Sequence, residues 1–488
     1  MKPRIDFRRA LVLVGILSLQ AMALFSCLDR LPVWTDELFT YGIMRQPLPV
    51  MIKTLQADIH PPLYYLLLRL WPWHDLSGLR AFSAVWALAA VLLLDRLWVR
   101  RWKNGYRILA LCLLAFSPCL LLYGRMARSY AMQMCLALAA VAFLWSWIRT
   151  RKRSVPAFLA CLLLLYTHYL PGIAVLAAFT IAGRRRLPVR QLVIFLAAIF
   201  CGYLPWLPTL AFAMARWGGP PDFFSRYTIT GSPLAEQVVK AGYGAVSLSI
   251  GESFPFLSLL LVPVILAVAW YGAWLSARFA GSLTAMAVIA AIIGFLGVSR
   301  WVAYPFIPAR LLWLLPFLTL ATAFGLRKMA WKGRWVAALI LLSFAASARD
   351  YFRKENYLNK GYAAPVREIA AELNRRATAK DLIIVDAFNT DGYALKFYVS
   401  APAPLLFIVE SDERSILDRA AKAESVWIVR NERDISPGRL TSRVEETACA
   451  SRRREKAGYL PYSAWQRATA QFITGKPLTY FYQVVHCQ

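Results

Sequence analysis

Apolar runs of about 17 to 25 residues recur along roughly the first 350 positions of this chain, the length an α-helix needs to cross a bilayer. In lipid no water is available for backbone N–H and C=O groups, so such runs must close their hydrogen bonds within helices. Charged residues make up 17% of the chain, against about 25% in soluble domains. After Arg349 the texture changes: charges become frequent, apolar runs shorten and turn residues appear. Two parts are expected. Residues 1–348 form a membrane domain, and residues 349–488 form a soluble α/β domain of ordinary size for one core.

A formal net charge of +29 invites a nucleic-acid reading. The distribution of the charge excludes it, because the basic residues sit in short blocks between apolar runs and no nucleic-acid motif accompanies them. The blocks are Lys2 to Arg9, Arg96 to Arg107, Arg149 to Arg153, Arg184 to Arg190 and Arg327 to Arg334. By the positive-inside rule all face the cytoplasm. Helices are expected near 11–29, 79–99, 108–124, 129–148, 156–168, 171–183, 191–214, 256–275, 282–298, 310–325 and 335–348. The stretch 155–183 has basic flanks on both sides, so one crossing would put a block outside. Two short helices bent at Thr167-His168-Tyr169-Leu170-Pro171-Gly172 keep both blocks inside, with Pro171 and Gly172 as the break. Eleven crossings of a bacterial inner membrane follow, with the C-terminal domain periplasmic. The outward loops then run from about Asp29 to Gly78, around Arg125 and Arg128, from Trp217 to Pro255, and from Arg300 to Ala309. Met1 to Ala10 is basic and leads into an apolar run, as in a signal peptide. Leu24-Phe25-Ser26-Cys27 faintly resembles a lipoprotein cleavage site, but Phe25 is bulky where such sites are small, so an uncleaved first helix is expected.

Six of the eight cysteines lie in or beside apolar helices, where Cys serves as a small hydrophobe. No CxxC occurs, which argues against a zinc or thioredoxin-like site. Cys449 and Cys487 are the two in the soluble part. In an oxidising periplasm they either pair, closing a loop of about forty residues, or stay independent thiols.

Carboxylates are sparse before residue 349. Asp36 and Glu37 are adjacent in Trp34-Thr35-Asp36-Glu37-Leu38-Phe39-Thr40-Tyr41, just past the first helix. Near a membrane such a pair is costly unless solvated or partnered, and the aromatic neighbours place it at the interface. A second polar cluster follows in Asp58-Ile59-His60-Pro61-Pro62-Leu63-Tyr64-Tyr65, where the prolines start a helix and leave His60 extended before it.

This order of motifs resembles the GT-C glycosyltransferases of the protein O-mannosyltransferase and aminoarabinose-transferase type. Leu122-Tyr123-Gly124-Arg125-Met126-Ala127-Arg128-Ser129-Tyr130-Ala131 is similar to the family's "eaRxYal" segment. Tyr166-Thr167-His168-Tyr169 resembles its "yThy" turn, and Tyr304-Pro305-Phe306-Ile307-Pro308-Ala309-Arg310-Leu311-Leu312 its "RYll…lP" helix start. Gly124 to Ala127 lacks the Glu often found before the Arg, and Leu311 replaces the usual Tyr. The resemblance implies a GT-C fold and transfer of a sugar from a polyprenyl-phosphate lipid, with inversion, to an envelope glycan, lipid or protein. It implies Asp36 as general base, within reach of the acceptor, with Glu37 orienting it or binding acceptor. The departing phosphate needs cationic donors, and the Arg fork pairs two oxygens at once. Arg128 and Arg310 fill that role, Arg125 serving as an interfacial anchor. His60, Tyr64, Tyr130 and His168 are the remaining substrate-side candidates. For the two histidines the readings are a metal or phosphate contact and a hydrogen-bonded interfacial His. Metal use stays open, because some family members take a divalent ion and others do not.

No D-x-D, P-loop or GxSxG occurs, so nucleotide-sugar, ATP-driven and serine-hydrolase chemistry find no motif. A transporter or flippase of lipid-linked sugars is the main rival. It would gather charge at the bilayer midplane, whereas here charge gathers at one face. A catalytically inactive envelope assembly protein is the third reading. In the soluble part, Ala364 to Ala377 and Ser415 to Ala423 have helical spacing. Leu382 to Val385, Leu405 to Val409 and Val426 to Val429 read as strands, and Phe472 to Val485 as an added edge strand. A lid or acceptor-docking module is expected of it.

Overall fold

The computed structural model describes residues 7–58, 60–184, 186–217, 233–300, 307–386, 390–408, 412–431, 439–450, 452–459, 464 and 482–488. The 304–306 part of the last motif, and parts of the 217–255 loop and of the 472–485 tail, lie outside these residues. The chain divides into two compact units. The first comprises Met1–Leu28 and Thr40–Arg349, the second Asp29–Phe39 and Asp350–Gln488.

The first unit is helical, and the chain is a multi-pass membrane protein. Among the described residues seven helices are long and apolar enough to cross a membrane: Phe7–Phe25, Leu76–Val99, Tyr130–Thr150, Val189–Phe212, Phe256–Arg278, Pro308–Lys328 and Ala330–Arg353. Shorter apolar helices are Asn104–Ala115, Ser154–Thr167, Tyr169–Gly183 and Leu283–Leu296. Tyr130–Thr150 is the most enclosed, packing on Leu76–Leu93, Ser154–Thr167 and the 3-10 segment Pro308–Leu314. Phe7–Phe25 is the least enclosed and exposes Leu11, Val14, Leu19 and Met22. An exposed apolar face of that kind suits lipid, not water.

The break within 154–183 falls at His168, which is extended (φ −165°, ψ 126°), and Pro171 and Gly172 lie in the first turn of the next helix. Pro171 fits there because the first-turn N–H groups have no partner within the helix. Gly172 is where the two helices close on one another: a Cβ would stand 2.6 Å from Leu165 Cδ2. Within the basic block 96–107, Arg107 Nε donates to Asp95 at 2.5 Å, both side chains being buried. A buried pair of this kind is strongly destabilising to break, because the survivor keeps an uncompensated charge.

The second unit is built on a five-stranded sheet of order β2-β1-β3-β5-β4. β1 (Leu382–Asp386) pairs in parallel with β2 (Leu405–Phe407) and β3 (Val426–Asn431). β5 (Tyr482–Cys487) is antiparallel to β3 and to β4 (Arg454–Tyr459). Leu382 to Val385 are buried on both faces, which accounts for their unbroken apolar run. Helix Val366–Arg376 turns Val366, Ile369, Ala370 and Leu373 inward, with Glu368 in its first turn and Arg375 and Arg376 in its last, as the helix dipole favours. Asp412 caps helix Glu413–Lys422 by accepting from Ser415 N at 3.3 Å. The expected edge strand is corrected: β5 lies inside the sheet, bonded on both sides, and β4 takes the edge. Arg454 to Tyr459 alternates exposed and half-buried positions, but its charged sequence hides the strand period. Cys449 and Cys487 form a disulfide, Cα–Cα 5.1 Å, joining helix Arg439–Cys449 to β5.

Residues 29–39 belong to this second unit. Arg30 Nε donates to Phe352 O at 2.6 Å, Arg367 pairs with Asp29 at 3.2 Å, and Tyr398 Oη accepts from Val33 N at 2.8 Å. The Trp34 ring meets Tyr362, centroids 4.9 Å apart.

Candidate functional site

The acidic pair opens helix Thr35–Met44. Glu37, buried at 1% exposure, turns back so that its carboxylate accepts from Trp34 N at 3.0 Å. That is half of a capping box, which satisfies a backbone donor the helix itself leaves open. Asp36 is half-buried in the same first turn, where the positive end of the helix dipole favours an anion. The two neighbours therefore differ: Glu37 is engaged in the fold, and Asp36 is the more accessible. The helix continues into the first unit at Thr40.

In the first unit Arg128 is the centre of a cluster. It is 4% exposed. Its guanidinium donates to Tyr65 Oη at 3.0 Å, to Thr40 Oγ1 at 3.5 Å, and closely to His60 Nε2. His60 Nδ1 stands 2.9 Å from Asp58 Oδ2. Arg has no acceptor to offer, so Nε2 must be the accepting nitrogen and Nδ1–H must donate to Asp58. The carbonyl of Arg128 accepts from Ser83 Oγ at 3.1 Å, and Ser83 Oγ is 2.8 Å from Tyr64 Oη. Tyr64, fully buried, thus supports the Arg128 carbonyl through Ser83, and Tyr130 is buried at the start of helix Tyr130–Thr150.

Arg125 is used differently. Its guanidinium donates to the carbonyls of Ser26 and Cys27, each at 2.6 Å, just past the end of Phe7–Phe25. It satisfies carbonyls that the end of a helix leaves open.

His168 Nδ1 accepts from Leu170 N at 3.2 Å, capping the helix that follows and leaving the ring proton on Nε2. His60, Arg310 and Arg128 all act electrostatically on this half-buried imidazole, whose accepting Nδ1 makes it the neutral form. The same influences place Arg310, at the start of the 3-10 segment Pro308–Leu314, within electrostatic reach of the cluster. Four of the sequence-derived candidates, His60, Arg128, His168 and Arg310, therefore converge from four separate elements of the first unit. Among the described residues no group of three or more His, Cys, Asp or Glu side chains converges to hold a metal. Asp58 and His60 do not fit one either, because the His60 nitrogen facing away from Asp58 meets a guanidinium.

Sequence reasoning missed Ser83 and Glu252. Glu252 is 1% exposed and accepts from Tyr123 Oη at 2.6 Å and Tyr243 Oη at 3.0 Å. Its signal was present in the sequence, as a lone carboxylate in a long apolar region.

Two solved structures of ArnT from Cupriavidus metallidurans resemble this chain, each over 97% of both chains. The apo form gives a TM-score of 0.53 at 15% identity, and the form bound to undecaprenyl phosphate gives 0.50 at 14%. Likeness at such identity establishes the fold alone: this chain has the fold that ArnT has. No protein-family model and no curated protein sequence matches it.

Proposed function

We propose that this chain is a glycosyltransferase that moves a sugar from a polyprenyl-phosphate lipid to an envelope glycan, lipid or protein at the outer face of a bacterial inner membrane. The observation that carries this reading is the Arg128 cluster, a buried guanidinium held by Tyr65 and His60 with Arg310 and His168 close by. It sits in a fold shared with a protein whose structure holds undecaprenyl phosphate. The acceptor hydroxyl or amine attacks the anomeric carbon as the bond to the phosphate oxygen breaks on the opposite face, which inverts the centre. Asp36 takes the acceptor's proton. Arg128 and Arg310 take up the negative charge that the departing phosphate gains, and neutral His168 offers its Nε2–H to a phosphate oxygen. Glu37 keeps the turn that presents Asp36.

Eleven crossings, a membrane domain over 1–348 and an extracytoplasmic domain over 349–488 belong to the same proposal. The Cys449–Cys487 disulfide supports the outward placement, since such bonds persist in oxidising compartments. A reporter active only in the periplasm should report when fused after Gln488 and stay silent after Arg186. The reverse pair would overturn the topology. The deciding assay uses the purified protein in lipid nanodiscs with a panel of undecaprenyl-phosphate sugars, the acceptor class being found by mass spectrometry of envelope glycans with and without the gene. Release of undecaprenyl phosphate with sugar transfer supports the reading. Movement of intact lipid-linked sugar across the bilayer, with no transfer, replaces it with the flippase reading.

A further inference from the structure

Glu252 lies two residues past the end of helix Pro233–Ile250, within the first unit. A carboxylate removed from water is costly unless hydrogen-bonded, and here two tyrosine hydroxyls supply the bonds. The backbone is shaped to deliver it. Gly251 has φ +86°, and a Cβ there would stand 2.5 Å from Pro118 Cβ, so only glycine lets the end of one helix press on the start of Pro118–Tyr123.

Tyr123 is the last residue of that short helix, and the Gly124-to-Ser129 turn begins at once. The turn carries both arginines. Arg125 fixes it to the carbonyls of Ser26 and Cys27, and Ser83 fixes it at the carbonyl of Arg128. Glu252 holds Tyr123, where the turn leaves the helix. We propose that Glu252 is a positioning residue: through Tyr123 it sets the turn that presents Arg128 to a lipid phosphate. This rests on the reading of Arg128 as a phosphate ligand.

The test measures binding of undecaprenyl phosphate to the purified full-length protein by native mass spectrometry, with undecaprenol as the uncharged comparison. Tyr123→Phe removes one oxygen and keeps the ring, so folding is preserved; Glu252→Gln keeps shape and loses charge. Each should weaken binding of the phosphate about fivefold, the scale of one hydrogen bond to a charged group, and leave undecaprenol binding unchanged. Tyr243→Phe, which removes a bond to helix Pro233–Ile250 and not to the turn, should change it by less than about twofold. In an Arg128→Ala background Tyr123→Phe should add nothing, because both changes remove one presented cation. A general packing defect would instead add to Arg128→Ala and weaken both lipids, and that result overturns the proposal. If Arg128→Ala weakens phosphate binding while Tyr123→Phe and Glu252→Gln do not, this inference alone fails. If Arg128→Ala has no effect, the phosphate reading fails first and takes the inference with it.

Discussion

Arg128 in the first unit and Lys380 in the second both sit within hydrogen-bond distance of a side-chain partner. Lys380 Nζ is 2.6 Å from Glu424, with the two side chains 71% and 63% exposed. Arg128 is 4% exposed, and its bonds to Tyr65 and His60 are enclosed within the first unit. Distance alone would rank the lysine pair at least as high. Water and ions screen an exposed pair until it contributes little, whereas a buried cation keeps its field and must be held by specific groups. The second unit carries many exposed charges beside its enclosed Arg430–Glu445 pair, whereas the first unit uses charge sparingly. Within residues 29–39 of the second unit, Glu37 is engaged as a helix cap, and the proposed base role falls to its more accessible neighbour Asp36.

The largest effect that would break this contrast is at Asp36. Asp36→Asn should lower turnover by about 10² to 10⁴ with normal folding and insertion, the range for losing a general base. Turnover within about threefold of wild type would end its assignment. Glu37→Gln keeps an acceptor for the Trp34 N–H and should cost far less. Next comes Arg128→Ala, expected to raise the donor KM about 10- to 100-fold, with Arg128→Lys in between because charge survives and the fork does not. Arg310→Ala should act in the same direction. Lys380→Ala, run beside them, should alter neither KM nor thermal stability, and an effect equal to that of Arg128→Ala would erase the distinction between the units.

Smaller effects separate the units by stability. Cys449→Ser opens a loop spanning 38 residues and should destabilise the second unit by roughly 3 to 4 kcal/mol on the chain-entropy model, read as a lower melting transition with donor affinity unchanged. The smallest is a pH effect at His486. Burial first, then Arg376, lowers this imidazole, against the pull of Asp381, Glu455 and Glu372. The unfolded chain therefore takes the proton first. Stability of the second unit should fall as pH drops below about 6.5, until the folded imidazole protonates too. In His486→Gln the melting temperature should be flatter across that window; an unchanged slope would assign the effect to other groups.

Much of the first unit was legible because lipid imposes one pattern on sequence: every apolar run expected to be a helix has a helical counterpart. The 256–298 region breaks at Ala280 (φ −141°, ψ 45°) between the two helices expected there, although no proline marks the break. The arginine motif was legible because charge is rare there. Glu37 as a cap was written in its spacing from Trp34, yet its place beside Asp36 drew the chemical reading. What lay beyond reach is what depends on distant partners. Nothing within 29–39 says that it packs with residues beyond 350, and nothing in Glu252 names Tyr123, 129 positions away. β5 was misplaced for the same reason, since whether a strand is inner or edge depends on what pairs with its far side.

The membership of residues 29–39 in the second unit has a consequence for how the protein is made. Arg30 waits for Phe352, 322 positions on, and Val33 waits for Tyr398, 365 positions on. At about 5 to 20 residues per second on a ribosome, that is a delay of some 20 to 70 seconds. For that interval the nascent chain already carries its acidic residues but lacks the surroundings that seat them. On the role proposed for Asp36, a chain released early would carry that carboxylate without the packing to residues beyond 350 that seats its segment, and would not turn over lipid-linked sugar.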